Sequence, residues 1–307
     1  MAKGIVLAFL AFAVFAWGDA IVKAIGHDLD PFEVTFFGYL IPLLLSPTFM
    51  KSGDRLSDIV HWKSPWLMAL RVFFISVTTP LSVMAFTSLP FAEAFALLFL
   101  MPSLVTVLSV LVLKETVRWR RGLAVCAAFI GVLIIVRPGF REILPGHLFA
   151  IAGALCAAGG VIMGRMIGTT ETRYTLIGSV FLGTTAIAGI LMIPGFTWPT
   201  STQWWQLLAF AATAFVAQAF FVIATTYAPA DRLGATQYSQ ILWALLIGAL
   251  FFDEWPDAVA LFGIAVVVGA GLFIFARERT LKKPPSPASP SAPPEQLGAL
   301  NSPSQHL

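Results

Sequence analysis

Asp19 and Lys23 lie inside the apolar run from Gly4 to Ile25. A carboxylate within a bilayer costs at least ~2.5 kcal/mol on insertion scales, so Asp19 is expected to face the protein interior or a water-filled cavity. Lys23 follows one helical turn later, the spacing that brings two side chains onto one face. Two readings fit the pair. It is a substrate-binding or proton-coupling site, or a mutually neutralised couple whose lysine snorkels to the outer membrane surface. Arg71 opens a second polar stripe, because Thr78 and Ser82 at +7 and +11 share its helical face. An arginine at a helix end also serves as a snorkelling anchor.

The densest polar and aromatic group is Gln237, Tyr238, Ser239, Gln240 and Trp243. Gln237 and Gln240 share a face, and Gln218 and Thr225 form a similar side upstream. Amides within lipid need hydrogen-bond partners on another helix or on a ligand. As neutral donors they suit a polar, neutral or zwitterionic small molecule, stacked on Trp243 or Trp17. Interhelical hydrogen bonding with interfacial aromatics explains the same residues equally well. Glu93, at the outer start of its apolar run, reads as an interfacial cap or solvated acid. Gly160, Gly164 and Gly168 have the small-xxx-small spacing that lets helices approach closely, and packing between the two halves of the chain is the expected use.

These residues must be positioned by membrane-spanning helices. Of 307 residues, 58% are hydrophobic and 11% charged, with a mean hydropathy of +0.85. Soluble domains carry roughly 25% charged residues. Ten apolar stretches recur, near 4–26, 32–50, 66–88, 91–113, 121–137, 147–168, 174–194, 204–228, 233–252 and 258–276. Each approaches the ~20 residues needed to cross ~30 Å of hydrocarbon. Pro42 and Pro47 interrupt the second, and Pro80 and Pro102 raise the same issue in the third and fourth. The first run is longer than the h-region of a signal peptide and reads as a retained helix. Cys126 and Cys156 fall inside spans and read as small packing residues. Residues 278–307 are Pro/Ser-rich and are expected to be a disordered cytoplasmic tail.

Charge predicts the orientation. With both termini in the cytoplasm, the inner loops and helix ends hold all but three of the 19 basic residues, as the positive-inside rule requires. The exceptions are Lys23, Arg137 and Arg141. The outer connections are acidic, at Asp28, Asp30 and Glu33 and again at Asp253, Glu254 and Asp257. The expected fold class is an all-α membrane protein of ten transmembrane helices.

The two halves echo each other. Pro90 to Glu115 and Pro229 to Glu254 both begin with proline, run apolar and end on an acid 25 residues later. Gly4 matches Gly146, Gly18 matches Gly160 and Lys23 matches Arg165, at an offset of 142. The offset is 139 for the proline pair and 140 for Gly131/Gly271 and Arg137/Arg277. Splitting ten spans after the fifth gives two five-helix repeats, and an odd span count inverts the second, as in alternating-access transporters. Pro102 faces Ile241 in the second copy, so the halves differ there.

The segment AEAFALLFLMPSLVTVLSVLVLKETVRWRRGLAVCAAFIGVLIIVRP carries a mid-helix Pro102, a closing Glu115 and a Gly-bearing span ending in a basic residue. Its second copy keeps Glu254 and a Gly-rich last helix, and the opening AWGDAIVK fits the same pattern. With these features the chain resembles the drug/metabolite transporter superfamily, in the bacterial permeases built from two EamA-type repeats. The resemblance implies repeats over 4–137 and 146–277 and a multi-pass location in the bacterial inner membrane. It also implies cargo such as an amino acid, aromatic metabolite, riboflavin or S-adenosylmethionine, and a homodimer supported by the fifth and tenth helices. Gly38 departs from relatives that place an arginine there.

The expected function is secondary transport of a small organic metabolite, with the lipid bilayer as surroundings. A membrane scaffold or assembly protein is the alternative, and a membrane-embedded enzyme a third. His27, His61, His147 and His306 form no cluster, and no phosphate-binding glycine loop is present. No catalytic site, metal, cofactor or nucleic-acid partner is therefore expected.

Overall fold

The computed structural model describes residues 2–116, 119–140, 142–228 and 233–281. Pro229, Arg118, Arg141, Arg232, Lys282, Lys283 and the Pro/Ser-rich segment from residue 282 lie outside them. Eleven α-helices occur among the described residues: α1 Ala2–Ile25, α2 Pro31–Leu45, α3 Pro65–Ser88, α4 Phe91–Leu98, α5 Met101–Leu113, α6 Trp119–Val136, α7 Pro145–Ile167, α8 Arg173–Leu191, α9 Ser201–Tyr227, α10 Ser239–Phe251 and α11 Ala258–Leu281. Seven stretches are long and apolar enough to cross a membrane: α1, α2 with the turn after it, α3, α4 with α5, α7, α8 and α9. Three shorter apolar helices accompany them, at Gly122–Val136, Thr236–Phe251 and Ala258–Ile274.

Local chemistry sets the helix starts. Proline opens α2, α3 and α7, where its missing amide costs no intrahelical bond. Asp30 caps α2 by accepting from the Phe32 amide at 2.8 Å, and Thr200 and Gln203 cap α9 reciprocally. Pro42 stays within α2, but the helix ends at Leu45 and a 3-10 turn over Ser46–Phe49 carries Pro47.

Pro102 breaks the fourth span. It stands in the first turn of α5, where it lacks the amide that would bond a carbonyl four residues back. Phe99 and Leu100 separate α4 from α5. The second copy has Ile241 where Pro102 stands, yet the interruption recurs there. A 3-10 turn over Gly234–Tyr238 passes into α10 at Ser239. Hydroxyls bond along this turn: Thr236 donates to Leu233 O at 2.5 Å and Ser239 to Thr236 O at 2.6 Å. Side-chain donors of this kind satisfy carbonyls freed by irregular backbone.

The helices pack reciprocally between halves. α1 lies along α9 as α7 lies along α3, while α2 meets α8 and α6 meets α11. Individual contacts follow the same exchange. A Cβ on Gly18 would stand 2.8 Å from Thr213 Oγ1 of α9, and one on Gly160 would stand 2.5 Å from Ile75 of α3. Gly4 likewise meets Ala228, and Gly146 meets Ser88 and Leu89. Phe99 and Tyr238, which are 139 positions apart, put their ring centroids 5.3 Å apart where the halves meet.

The exterior is apolar around the bundle, with Leu44, Trp66, Leu111, Leu133, Leu148, Ile190, Trp205, Leu250 and Phe262 all exposed. A monomeric soluble protein rarely exposes apolar patches beyond a few hundred Å². These surfaces suit lipid. α6 and α11 pack on each other within one chain, with a Cβ on Gly131 only 2.8 Å from Val267, and nothing in the structure supports a dimer through them. Glu93 is buried, at 4% exposure, and not a solvated acid. It lies in the first turn of α4, where the helix dipole favours negative charge.

Gly38 admits an aromatic ring. A Cβ there would lie 2.1 Å from Phe210 Cε1 of α9, so this position has no room for an arginine. Gly38→Leu is expected to destabilise the protein by about 1–3 kcal/mol, the usual cost of overpacking, read as a lower melting temperature in detergent. Adding Phe210→Ala should restore part of the loss.

Candidate functional site

Asp19 lines a cavity of about 190 Å³ between the halves. α1 supplies the carboxylate, α3 supplies Thr78 and Ser82, and the start of the ninth span supplies Gln237 and Gln240. Phe86, Phe95 and Phe99 form an aromatic wall, and Leu98, Met101, Ala154 and Ala157 complete the lining. The aromatic wall is preorganised, because Phe86 stacks on Phe95 at 5.1 Å and Phe99 on Tyr238. Thr78 and Ser82 donate their hydroxyl protons to Phe74 O and Thr78 O, both at 2.9 Å. Their oxygen lone pairs are left for the cavity. Asp19 has no hydrogen-bonding or ion-pairing partner among the described residues.

Lys23 turns away from Asp19. Its ammonium donates to Phe86 O at 2.9 Å and Leu89 O at 2.7 Å, and pairs with Glu254 Oε1 at 2.9 Å. An ammonium has three N–H donors, and all three find acceptors. The ammonium is buried, with the Lys23 side chain 5% exposed and that of Glu254 25%. The other oxygen of Glu254 accepts from the Phe91 amide at 2.6 Å, at the electropositive start of α4. The spacing of Asp19 and Lys23 made them candidates for one site, whereas the fold separates their partners. Lys23 lies in the last turn of α1, and its long side chain reaches the ends of α3 and α4.

The opposite end holds the repeat-related pair. Arg165 approaches Glu115 at 3.9 Å, with the side chains 38% and 47% exposed. Lys23 and Arg165 are 142 positions apart, and Glu115 and Glu254 are 139 apart. One local device aims both acids. Lys114 and Asp253 adopt left-handed φ of 54° and 52°, and the next amide bonds back to Ser109 O at 3.2 Å or Gly248 O at 3.0 Å. In both, that amide reaches six residues back around a left-handed helix end.

The remaining candidates are dispersed. Trp17 is exposed and meets the Phe251 ring edge-on at 5.2 Å. Arg71 donates to Leu176 O at 2.8 Å and lies about 10 Å along α3 from Thr78. Gln218 is half-buried on α9, outside the cavity lining. Tyr238 stacks behind the cavity wall, and Trp243 packs against Phe9 with its Nε1 buried and unbonded. Of the nine candidates, the cavity gathers Asp19, Gln237 and Gln240. The phenylalanines and Glu254 were not singled out as site residues. The four-residue spacing of Phe91, Phe95 and Phe99 was the available signal for the first, and the paired closing acids for the second. Arg137, an outer exception to the charge pattern, pairs with Asp257, so its charge is neutralised locally. Two larger hollows, of about 610 and 500 Å³, are mostly apolar crevices beside α11 and carry no carboxylate in their lining.

An all-helical chain with an apolar exterior and a polar cavity between reciprocally packed halves is a multi-pass membrane protein of the permease class. The chain belongs to the EamA-like transporter family, whose profile matches residues 2–137 and 144–276. It is 21% identical to an S-adenosylmethionine uptake transporter of Rickettsia prowazekii, across 90% of this chain and 94% of that one. It is 26% identical to a pseudopaline exporter of Pseudomonas aeruginosa, across 87% and 94%. A riboflavin transporter of Rhizobium johnstonii is 28% identical, across 83% and 84%. A solved crystal structure shares the fold at TM-score 0.62 and 20% identity, covering 90% of this chain and 98% of that one. The family and these relatives are named as transporters and not enzymes, and the apolar helices of this chain fit a multi-pass place in the bacterial inner membrane.

Lys23→Met should cost about 1–3 kcal/mol, because it leaves the part-buried Glu254 without its cation and two backbone carbonyls without their donor. Arg165→Met, at an exposed pair, should change stability by about 1 kcal/mol or less. Thermal unfolding of the two purified variants in one detergent checks the contrast.

Proposed function

We propose that the protein is a secondary transporter whose two inverted five-helix repeats, over 4–137 and 146–277, open alternately onto the Asp19 cavity. The observation that carries this reading is the unequal state of two repeat-related ion pairs at opposite ends. Lys23–Glu254 is short, with its ammonium buried and its carboxylate a quarter exposed, while Arg165–Glu115 is longer and exposed on both sides. A carrier must close one end while the other opens. Two equivalent pairs, one tight and one slack, supply bistability without a separate gate domain.

The mechanism follows from the bonds. Opening the Lys23 end breaks one ion pair and two charged hydrogen bonds, each bond contributing about 1.5–3 kcal/mol. Tightening Arg165 on Glu115 at the other end offsets part of that loss. The difference between states then falls within reach of substrate binding, which shifts an equilibrium only by its differential affinity. With ten spans and both termini cytoplasmic, the Lys23 end faces outward and the described conformation leans inward. The charge pattern supports that orientation, since the basic loops gather at the Arg165 end. The relatives' names support a small organic metabolite as cargo.

The test uses a cysteine in place of Gln240 as a reporter, with Cys126 and Cys156 replaced by alanine. In right-side-out vesicles, Glu254→Gln is expected to raise labelling by an impermeant maleimide several-fold, because it loosens the outer closure. Glu115→Gln is expected to lower labelling. Shifts in the same direction, or no shift in either variant, would overturn alternating access through these pairs.

A further inference from the structure

We propose that the cavity selects a small organic cation, a primary or secondary ammonium on a compact apolar body, with Asp19 as its counter-ion. The inference rests on the transport reading for its setting and deepens it by naming the substrate class. Asp19 is the single ionisable residue in the lining. The nearest bases do not serve it, because Lys23 has three acceptors and Arg71 lies about 10 Å along α3 from Thr78, outside the lining. A carboxylate in this setting lacks a resident cation, and an arriving cation supplies one.

The rest of the lining fits the same class. Thr78 and Ser82 have spent their protons on backbone carbonyls and present lone pairs, so they accept and do not donate. With Asp19 they offer three acceptors to an ammonium's N–H groups. Phe86, Phe95 and Phe99 add ring faces that attract a cation and cover an apolar body. The Gln237 and Gln240 amides supply carbonyl acceptors alongside their donors. An anion would find two amides and no base. The volume of about 190 Å³ lies below the ~300 Å³ lower bound of typical drug-sized pockets, so the cargo is compact.

Binding of three matched probes to the purified full-length protein in detergent tests this: 2-phenylethylamine, its neutral isostere 2-phenylethanol, and phenylacetate. Saturable binding is expected for the amine alone, read by calorimetry and by a rise in melting temperature. Asp19→Asn should weaken it by about tenfold or more, the scale of a lost charge-assisted bond. Asp19→Glu should retain part of the affinity, and a wild-type elution profile on size exclusion shows that each variant folds. Equal or tighter binding of phenylacetate or phenylethanol overturns the proposal. So does absence of amine binding at millimolar concentration, or an Asp19→Asn variant with unchanged amine affinity. Flux in proteoliposomes separates the two readings. An amine that binds through Asp19 but never crosses defeats transport alone, whereas an anion that crosses defeats the cation class alone.

Discussion

The buried Lys23 ammonium organises one end of this protein. Its three acceptors come from the C-terminal end of α3, the link to α4 and the connection between α10 and α11. A charge in a dry site is tolerated only when its hydrogen bonds are satisfied, so four segments must converge on one nitrogen. Glu254 extends the constraint to the first amide of α4. The left-handed end of α10 holds that acid at the right height. Helix ends, ordinarily the loosest parts of a bundle, are here the most constrained.

The same parts recur at the other end with a different outcome. Glu115 follows an equivalent left-handed residue, and Arg165 occupies the place of Lys23. The guanidinium and carboxylate stay exposed at 3.9 Å, where solvent screening leaves a weak interaction. Symmetry of sequence therefore yields asymmetry of energy, because burial decides the worth of an ion pair. Between the ends, the Phe99–Tyr238 contact joins the two interrupted spans. Small residues along α1 and α7 let α9 and α3 approach closely.

Much of this was legible in the residues. Hydropathy marked where the apolar helices lie, though not the breaks or early ends of the second, fourth and ninth stretches, and the acid-terminated repeats marked both ion-pair ends. The cavity was legible only in part. Asp19, Gln237 and Gln240 stood out because polar groups in apolar runs are costly. Trp17, Gln218 and Trp243 stood out for the same reason and lie outside the cavity lining, because periodicity gives a residue's face and not what that face meets. The break in the ninth span was hidden, since no proline marks it as Pro102 marks the fourth. Phe86, Phe95 and Phe99 were hidden among 27 phenylalanines.

The sequence by itself determined that this is a helical membrane protein with two related halves and an acid inside its first span. Those conclusions rest on local quantities: apolar length, charge placement and near-constant offsets. Only the tertiary structure decided the partners. Asp19 and Lys23 share a helical face in the sequence, yet one faces a cavity and the other is bound by residues 63 to 231 positions away. A lysine side chain is long enough to leave its own turn, and the strongest acceptors within its reach belong to distant segments. Partner choice is a property of three-dimensional proximity and burial, which spacing along one helix does not contain.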